Sequence, residues 1–227
     1  MAGSPLYAGR FIPAGRPARL PRVASGTPPS ARSAGEEDEL PTLGYAILSA
    51  LARDDLTGYD ITARLRRPIS YYWQAAHSQI YPMLAGLEGA GLVTHAAVPG
   101  GGRRTKKRYR ITRAGLERLA RWVVTPPPPR VPRDELVLKT YSLWLADPAM
   151  AAELFRAQAR HHRRTLTQWE SELEALRERY GAELDRSTSQ VFATYATLRR
   201  GVGAEREYVA WCTWVADRCD SHGSTPP

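Results

Sequence analysis

From Thr42 to Arg53, "TLGYAILSALAR" places Leu43, Ile47, Leu48 and Leu51 on one helical face. "DDLTG" breaks that period. Thr57 then stands where a second helix needs a cap, with Asp60 at the third helical position near its positive end. That helix carries Tyr59, Ile61 and Leu65 until Pro68 stops it. After the aromatic connector "YYWQAA", Ser78 is placed to cap a third helix showing Leu84 and Leu87 to a core. Pro82 is read into its first turn, where a missing N–H costs little, and Gly89 and Gly91 end it.

The period then changes from helical to alternating. "LVTHAAV" (92–98) and "KKRYRIT" (106–112) read as two strands joined by "PGGGRRT", a hairpin with a basic, glycine-rich tip. Thr112 is placed to cap a fourth helix, "RAGLERLARWVV", with Leu116, Leu119, Trp122 and Val123 turned inward. Helix, helix, helix, hairpin, helix is the order of a winged helix-turn-helix. "TPPPPRVP" is a stiff proline linker.

Beyond the linker the pattern is helical: Asp134 to Ala146, then Pro148 to Tyr180, then about Leu184 to Asp220. The long middle helix has a seam at Phe155, Ala159, His162, Leu166, Trp169, Leu173, Leu176 and Tyr180, in alternating steps of four and three. Such heptad spacing demands another long helix as partner. The last helix turns Val191, Tyr195, Leu198, Val202, Val209, Cys212 and Val215 toward a partner. The fold class read from this order is mainly α (α+β). An N-terminal winged helix-turn-helix domain (39–125) precedes a linker (126–133) and an all-α, antiparallel, coiled-coil-like dimerisation and effector domain (134–220). Residues 1–38, rich in Pro, Gly, Ala, Ser and Arg, and residues 221–227 read as disordered tails.

Charge changes the picture once it is divided along the chain. Residues 39–125 hold thirteen Lys/Arg against six acids, whereas residues 126–227 hold fourteen against fourteen. A local excess of that kind suits a polyanionic partner. No apolar run approaches a membrane span, and residues 1–38 show no apolar signal core, which predicts a cytoplasmic chain. Cys212 and Cys219 lie seven apart on one helical face, about 10 Å along the axis. They are read as two reduced thiols, not a bridge.

Enzymatic readings find little support. His161 and His162 are adjacent and point about 100° apart on a helix, so they do not chelate one metal. No nucleophile elbow, phosphate loop, zincin or dinucleotide fingerprint occurs. No catalytic residue, metal site or cofactor is expected.

The start of the third helix has two readings, cap or ligand contact. A helix N-terminus suits phosphate, and in a helix-turn-helix that turn meets base edges. Gln79 has the donor and acceptor for adenine, Ser78 suits base or phosphate, and Tyr81 has a hydroxyl for phosphate. Arg103, Arg104, Lys106 and Lys107 at the wing, with Arg108 and Arg110 beyond, favour the DNA reading when taken jointly with that turn. Thr57 and Tyr59 are expected to hold phosphates beside them. Phe155, His162, Leu166, Trp169, Leu173, Leu176, Tyr180, Val209 and Cys212 are the expected dimerisation residues. Tyr72, Trp73, Trp144 and Trp211 are candidates for an aromatic effector pocket, against the alternative that they are packing residues. The competing reading from another class is a helical protein-interaction module whose basic winged helix does not read DNA.

The set "LGYAILSAL", "LTGYDITARL", "YYWQAAHSQIYPMLAGLEGAGLV" and "KKRYRITRAGLERLARWV" resembles the PadR family of bacterial transcriptional regulators. The shared features are Gly58-Tyr59, Ser78-x-x-Tyr81-Pro82, Leu84-x-x-Leu87-Glu88, Gly91-Leu92 and Tyr109-x-Ile111-Thr112-x-x-Gly115. The C-terminal half is similar to the helical domain of the longer members. The resemblance implies a homodimer, usually a repressor, on an inverted-repeat DNA operator, with a small aromatic effector in some members.

Overall fold

The computed structural model describes residues 40–65, 77–99, 105–129 and 133–223. Helix α1 (Thr42–Leu51), α2 (Gly58–Leu65) and α3 (His77–Gly89) enclose the first core with Ile47, Leu48, Ile61, Ile80, Leu84 and Leu87 fully buried. Each such side chain contributes about 2 kcal/mol by leaving water. Three strands follow: β1 (Leu56–Thr57), β2 (Val93–Pro99) and β3 (Thr105–Ile111), antiparallel in the order β1-β3-β2. Val93 pairs with Ile111 and Pro99 with Thr105, so the hairpin tip at 100–104 lies outside the described residues. Strand β1 is absent from the sequence reading, which took "DDLTG" only as a break. It places Leu56 opposite Tyr109 and Thr57 opposite Arg108.

Helix α4 (Arg113–Val123) closes the domain through Leu119, and Trp122 stacks on Tyr45 of α1 with ring centroids 4.5 Å apart. Val123, expected inside, is 66% exposed because α4 turns its last residue away from α1. Thr112 does cap α4, accepting from the Gly115 N–H at 3.1 Å. Helix α3 already includes His77, so Ser78 lies within its first turn and is not the residue before it. Pro82 is correspondingly the sixth residue of α3, where it has no N–H to give the Ser78 carbonyl. Gly91, φ 69°, closes off α3 two residues past its end, with the Leu92 N–H on the Leu87 carbonyl and the Gly91 N–H on the Glu88 carbonyl.

In the C-terminal half, α5 (Glu135–Tyr141) is capped by Asp134 and gives way to a 3-10 turn (Leu143–Leu145), shorter than the single helix expected. Helix α6 (Pro148–Tyr180), capped by Asp147, runs antiparallel to α7 (Gln190–Gly223), and a 3-10 turn (Gly181–Asp185) joins them. Ser189, not a residue near Leu184, accepts the Phe192 N–H at the start of α7.

The heptad seam faces α7 of the same chain, which supplies the long helix that its spacing demands. Phe155 and Ala159 pack with Cys212, Val215 and Ala216. Leu166, Trp169, Leu173 and Leu176 pack with Tyr195, Leu198 and Val202, while Val209 is buried and Tyr180 half-buried at the helix end. His162 meets Glu205, whose carboxylate is fully buried, at 2.7 Å. The Glu205 Oε1 has no hydrogen-bond partner among the described residues. Cys212 is buried and its thiol is pushed up to about 11, chiefly by desolvation and then by Asp134.

Candidate nucleic-acid interface

Thr57 and Asp60 form a reciprocal cap on α2. The Thr57 hydroxyl donates to Asp60 Oδ2 at 2.7 Å, the Thr57 N–H donates to the same oxygen at 3.1 Å, and the Asp60 N–H returns to Thr57 Oγ1 at 3.3 Å. This geometry makes Thr57 the residue that sets where α2 starts. Tyr59, within the same turn, stands 70% exposed.

Gly58 is the point where α2 meets α3. A Cβ there would lie 2.7 Å from Tyr81 Cε1 and 3.1 Å from its hydroxyl oxygen. Glycine therefore lets the start of α2 rest on the Tyr81 ring and fixes which way that ring points. Ser78, Gln79 and Tyr81 are all exposed at the beginning of α3, while Ile80 between them is buried. The periodicity that buries Ile80, Leu84 and Leu87 leaves those three polar side chains facing outward. Gly58→Ala is expected to keep the fold, because the far end of an exposed tyrosine yields. Moving that ring is expected to weaken operator binding about tenfold. Circular dichroism and fluorescence anisotropy on the same preparation check both halves.

The wing reaches the same place through β1. Because Thr57 pairs with Arg108, that arginine sits one strand from the α2–α3 junction. Alternation along β3 puts Tyr109 inside and Lys106, Arg108 and Arg110 on the outer face. Burial and the Glu88 carboxylate raise the Tyr109 hydroxyl above its ordinary value. The cations differ in their commitments. Arg110 grips Asp55 with Nε at 2.9 Å and Nη2 at 2.6 Å, which raises its own affinity for protons. Lys107 lies 3.9 Å from Glu88. Lys106 and Arg108 are exposed, with no carboxylate partner among the described residues. Arg103 and Arg104 fall outside the described residues.

Three consecutive residues brace this surface. Arg53 donates to Thr194 Oγ1 of α7 at 2.9 Å, Asp54 holds Arg64 of α2 at 2.6 Å, and Asp55 holds Arg110 of the wing. Asp55, Thr94, His95, Ala96, Arg108 and Arg110 line a shallow hollow of about 270 Å³ on the sheet. Its floor is basic and its one carboxylate is already paired. Sequence reasoning placed Arg108 in the basic run without singling it out; its register with Thr57 becomes visible only when β1 is known.

Tyr72 and Trp73 lie outside the described residues, and Trp144 is 82% exposed. Trp211 is half-buried, edge-on to Phe155 at 5.6 Å and to Tyr208 at 5.4 Å between centroids. Among the described residues no group of three His, Cys, Asp or Glu side chains is placed to hold a metal ion. No helix among them is long and apolar enough to cross a membrane.

An exposed polar helix start, a helix braced across it and a basic two-stranded wing define a winged helix-turn-helix protein of the DNA-reading type. Comparison with known proteins narrows the class. Residues 47–121 match the model of the transcriptional regulator PadR-like family, and residues 132–220 match that of the virulence activator alpha C-terminal region. The negative transcriptional regulator PadR of Bacillus subtilis is 33% identical over 170 residues, 74% of this chain and 92% of that one. The crystal structure of Bacillus subtilis PadR with operator DNA superimposes with a TM-score of 0.70 at 31% identity, covering 78% of this chain and 99% of that one. The structure of the same regulator with p-coumaric acid gives a TM-score of 0.64 at 32% identity, covering 78% and 98%. The chain belongs to the PadR-like family of transcriptional regulators.

Proposed function

We propose that this chain is a cytoplasmic, homodimeric repressor that binds an inverted-repeat operator and leaves it when a small aromatic effector binds. One observation carries the reading. Strand β1 and the Gly58–Tyr81 contact gather Ser78, Gln79 and Tyr81 of α3 and the exposed Lys106 and Arg108 of β3 onto one neighbourhood. Base-edge chemistry and phosphate chemistry then lie side by side, as DNA reading requires. The similar regulator bound to operator DNA supports the DNA partner, and its complex with p-coumaric acid supports an aromatic effector. The reading of a protein-interaction module that ignores DNA is disfavoured by the same family match.

In this reading residues 39–125 are the reading head, 126–133 the spacer and 134–220 the dimerisation and effector part. Ser78 and Gln79 meet base edges, and Tyr59, Tyr81, Lys106, Lys107, Arg103 and Arg104 hold phosphates, joined by Arg108. Two-fold symmetry places half-sites about 10 bp apart or at a multiple of that. Titration of the protein on its own upstream DNA at several salt concentrations tests it, since affinity independent of salt contradicts phosphate contacts. Gln79→Ala is expected to relax sequence preference by roughly 1–3 kcal/mol at one base pair, read from a set of single-substitution operators. Unchanged discrimination would remove its base-reading role.

A further inference from the structure

The short connection between α1 and β1 reaches both moving parts of the reading head and also leaves it. Asp54 holds Arg64 of α2 at 2.6 Å, and Asp55 holds Arg110 of β3 at 2.6 and 2.9 Å. Arg53 points the other way. Its Nη1 donates to Thr194 Oγ1 of α7 at 2.9 Å, across 141 positions of sequence. Both ends of that bond are anchored. The Arg53 N–H donates to the Ala50 carbonyl at 3.3 Å. Thr194, half-buried, gives its own hydroxyl proton to the Gln190 carbonyl at 3.0 Å, which leaves its oxygen as acceptor toward Arg53. No carboxylate pairs with Arg53 among the described residues, its neighbour Asp54 being taken by Arg64. Loss of solvent around the guanidinium, and then the Arg64 charge, lower its affinity for a proton.

We infer that Arg53 is a positioning residue: its bond to Thr194 fixes the angle between reading head and helical domain, and through that angle the half-site spacing the dimer accepts. The inference rests on the operator-binding homodimer above and adds a specificity that neither head has alone. The proline spacer ties the two halves of the chain covalently, and one tie leaves rotation about it free. Among the described residues no helix or strand of one half packs broadly against the other, so a second tie decides the angle. Arg53 and Thr194 supply it. The Asp54 and Asp55 carboxylates then pass the position of that connection to α2 and to the wing, the elements that frame the DNA surface. Each added base pair turns one half-site by about 35° and moves it by about 3.4 Å relative to the other. A head held at two points resists following that change, whereas a head held at one point swings with it.

Fluorescence anisotropy tests the inference on operators whose half-site spacing is stepped by single base pairs to either side of the optimum. The variants are Arg53→Ala, Thr194→Val and Thr194→Ser. Wild type and Thr194→Ser, which keeps the hydroxyl, are expected to bind the optimum at least about 30-fold more tightly than its neighbours. Arg53→Ala and Thr194→Val are each expected to lose about tenfold of that discrimination, and the double variant no more than either alone, since all three remove one bond. Affinity for an isolated half-site is expected to stay within about twofold of wild type. Thr194→Val carries the decision, because it is nearly isosteric and changes neither the charge nor the surface offered to DNA. Wild-type discrimination in Thr194→Val overturns the inference. If Arg53→Ala alone then loses half-site affinity and salt slope, Arg53 is a phosphate ligand instead. A wild type that binds half-sites without preferring a spacing overturns the inference and leaves the DNA reading standing. A wild type that binds no half-site removes the DNA reading, and the inference with it.

Discussion

Lys106→Glu together with Arg108→Glu is expected to abolish operator binding at physiological salt while the fold remains. Both side chains project from the outer face of β3, are exposed and lack a carboxylate partner among the described residues, so their removal breaks no ion pair there. In a two-fold complex the double change removes four cations from the DNA surface and adds four anions. Each lost phosphate contact flattens the dependence of log affinity on log salt by about 0.9, so the slope is expected to fall by between about 3 and 4. Repulsion from the new carboxylates adds to that, and a loss of more than about 1,000-fold at 150 mM salt follows. Arg110→Ala is the informative control. Its guanidinium is held by Asp55 through bonds of 2.6 and 2.9 Å, so removing it is expected to loosen the wing with little change in slope. Anisotropy titrations between 50 and 200 mM salt distinguish the outcomes. An unchanged slope in the double variant would mean that the wing does not touch phosphate.

How much of this surface was legible in the sequence depends on the range of the interaction that fixes each part. Leu43, Ile47, Leu48, Leu51, Leu84 and Leu87 declare their burial through local spacing, and all six are buried. Strand β1 carries no such signal. Two residues, Leu56 and Thr57, are too few for alternation, and they are a strand only because β3 lies beside them. Ser78 illustrates another limit: the residue types that cap a helix also suit its first turn, so composition does not locate the first hydrogen bond.

The heptad seam is the more instructive case. Spacing announces that α6 needs a partner helix but not which copy supplies it. A connection of nine residues, 181–189, holds α7 at high effective concentration beside α6 and so supplies an intrachain partner for the seam. Glu205 was legible in principle. Leu198, Val202, Glu205, Val209 and Cys212 keep the same alternation of four and three, which puts a carboxylate at a core position. Its partner is His162, a seam residue of α6, at 2.7 Å. A polar pair at matching core positions of an antiparallel helix pair specifies register, since any slip leaves both groups buried and unpaired.

Gly115→Ala is expected to cost about 3 kcal/mol or more of stability, the largest effect of any glycine-to-alanine change among the described residues. A Cβ at Gly115 would lie 2.2 Å from the Leu92 carbonyl oxygen and 2.8 Å from Ile111 Cγ1. The first of these is backbone, so no side chain can swing away to make room. That carbonyl is also fixed, because it accepts the Thr112 N–H at 3.0 Å. Thr112 in turn donates its hydroxyl to the Gly91 carbonyl at 2.7 Å and accepts the Gly115 N–H. The end of α3 and the start of α4 are thereby locked backbone to backbone, and the methyl group must either break the Thr112 cap or lift α4 off Leu92. Lifting α4 also separates Trp122 from Tyr45, so the loss spreads into the first core. Gly203→Ala measures the opposite sign in the same molecule. Nothing lies within 4 Å of a Cβ there, the residue is mid-helix in α7, and replacing glycine is expected to stabilise by roughly 0.5–1 kcal/mol. Urea unfolding at matched protein concentration, followed by circular dichroism, reads both. A Gly115→Ala protein as stable as wild type would mean that α4 does not close onto Leu92 and that α3 is not held at its far end by the Thr112 cap.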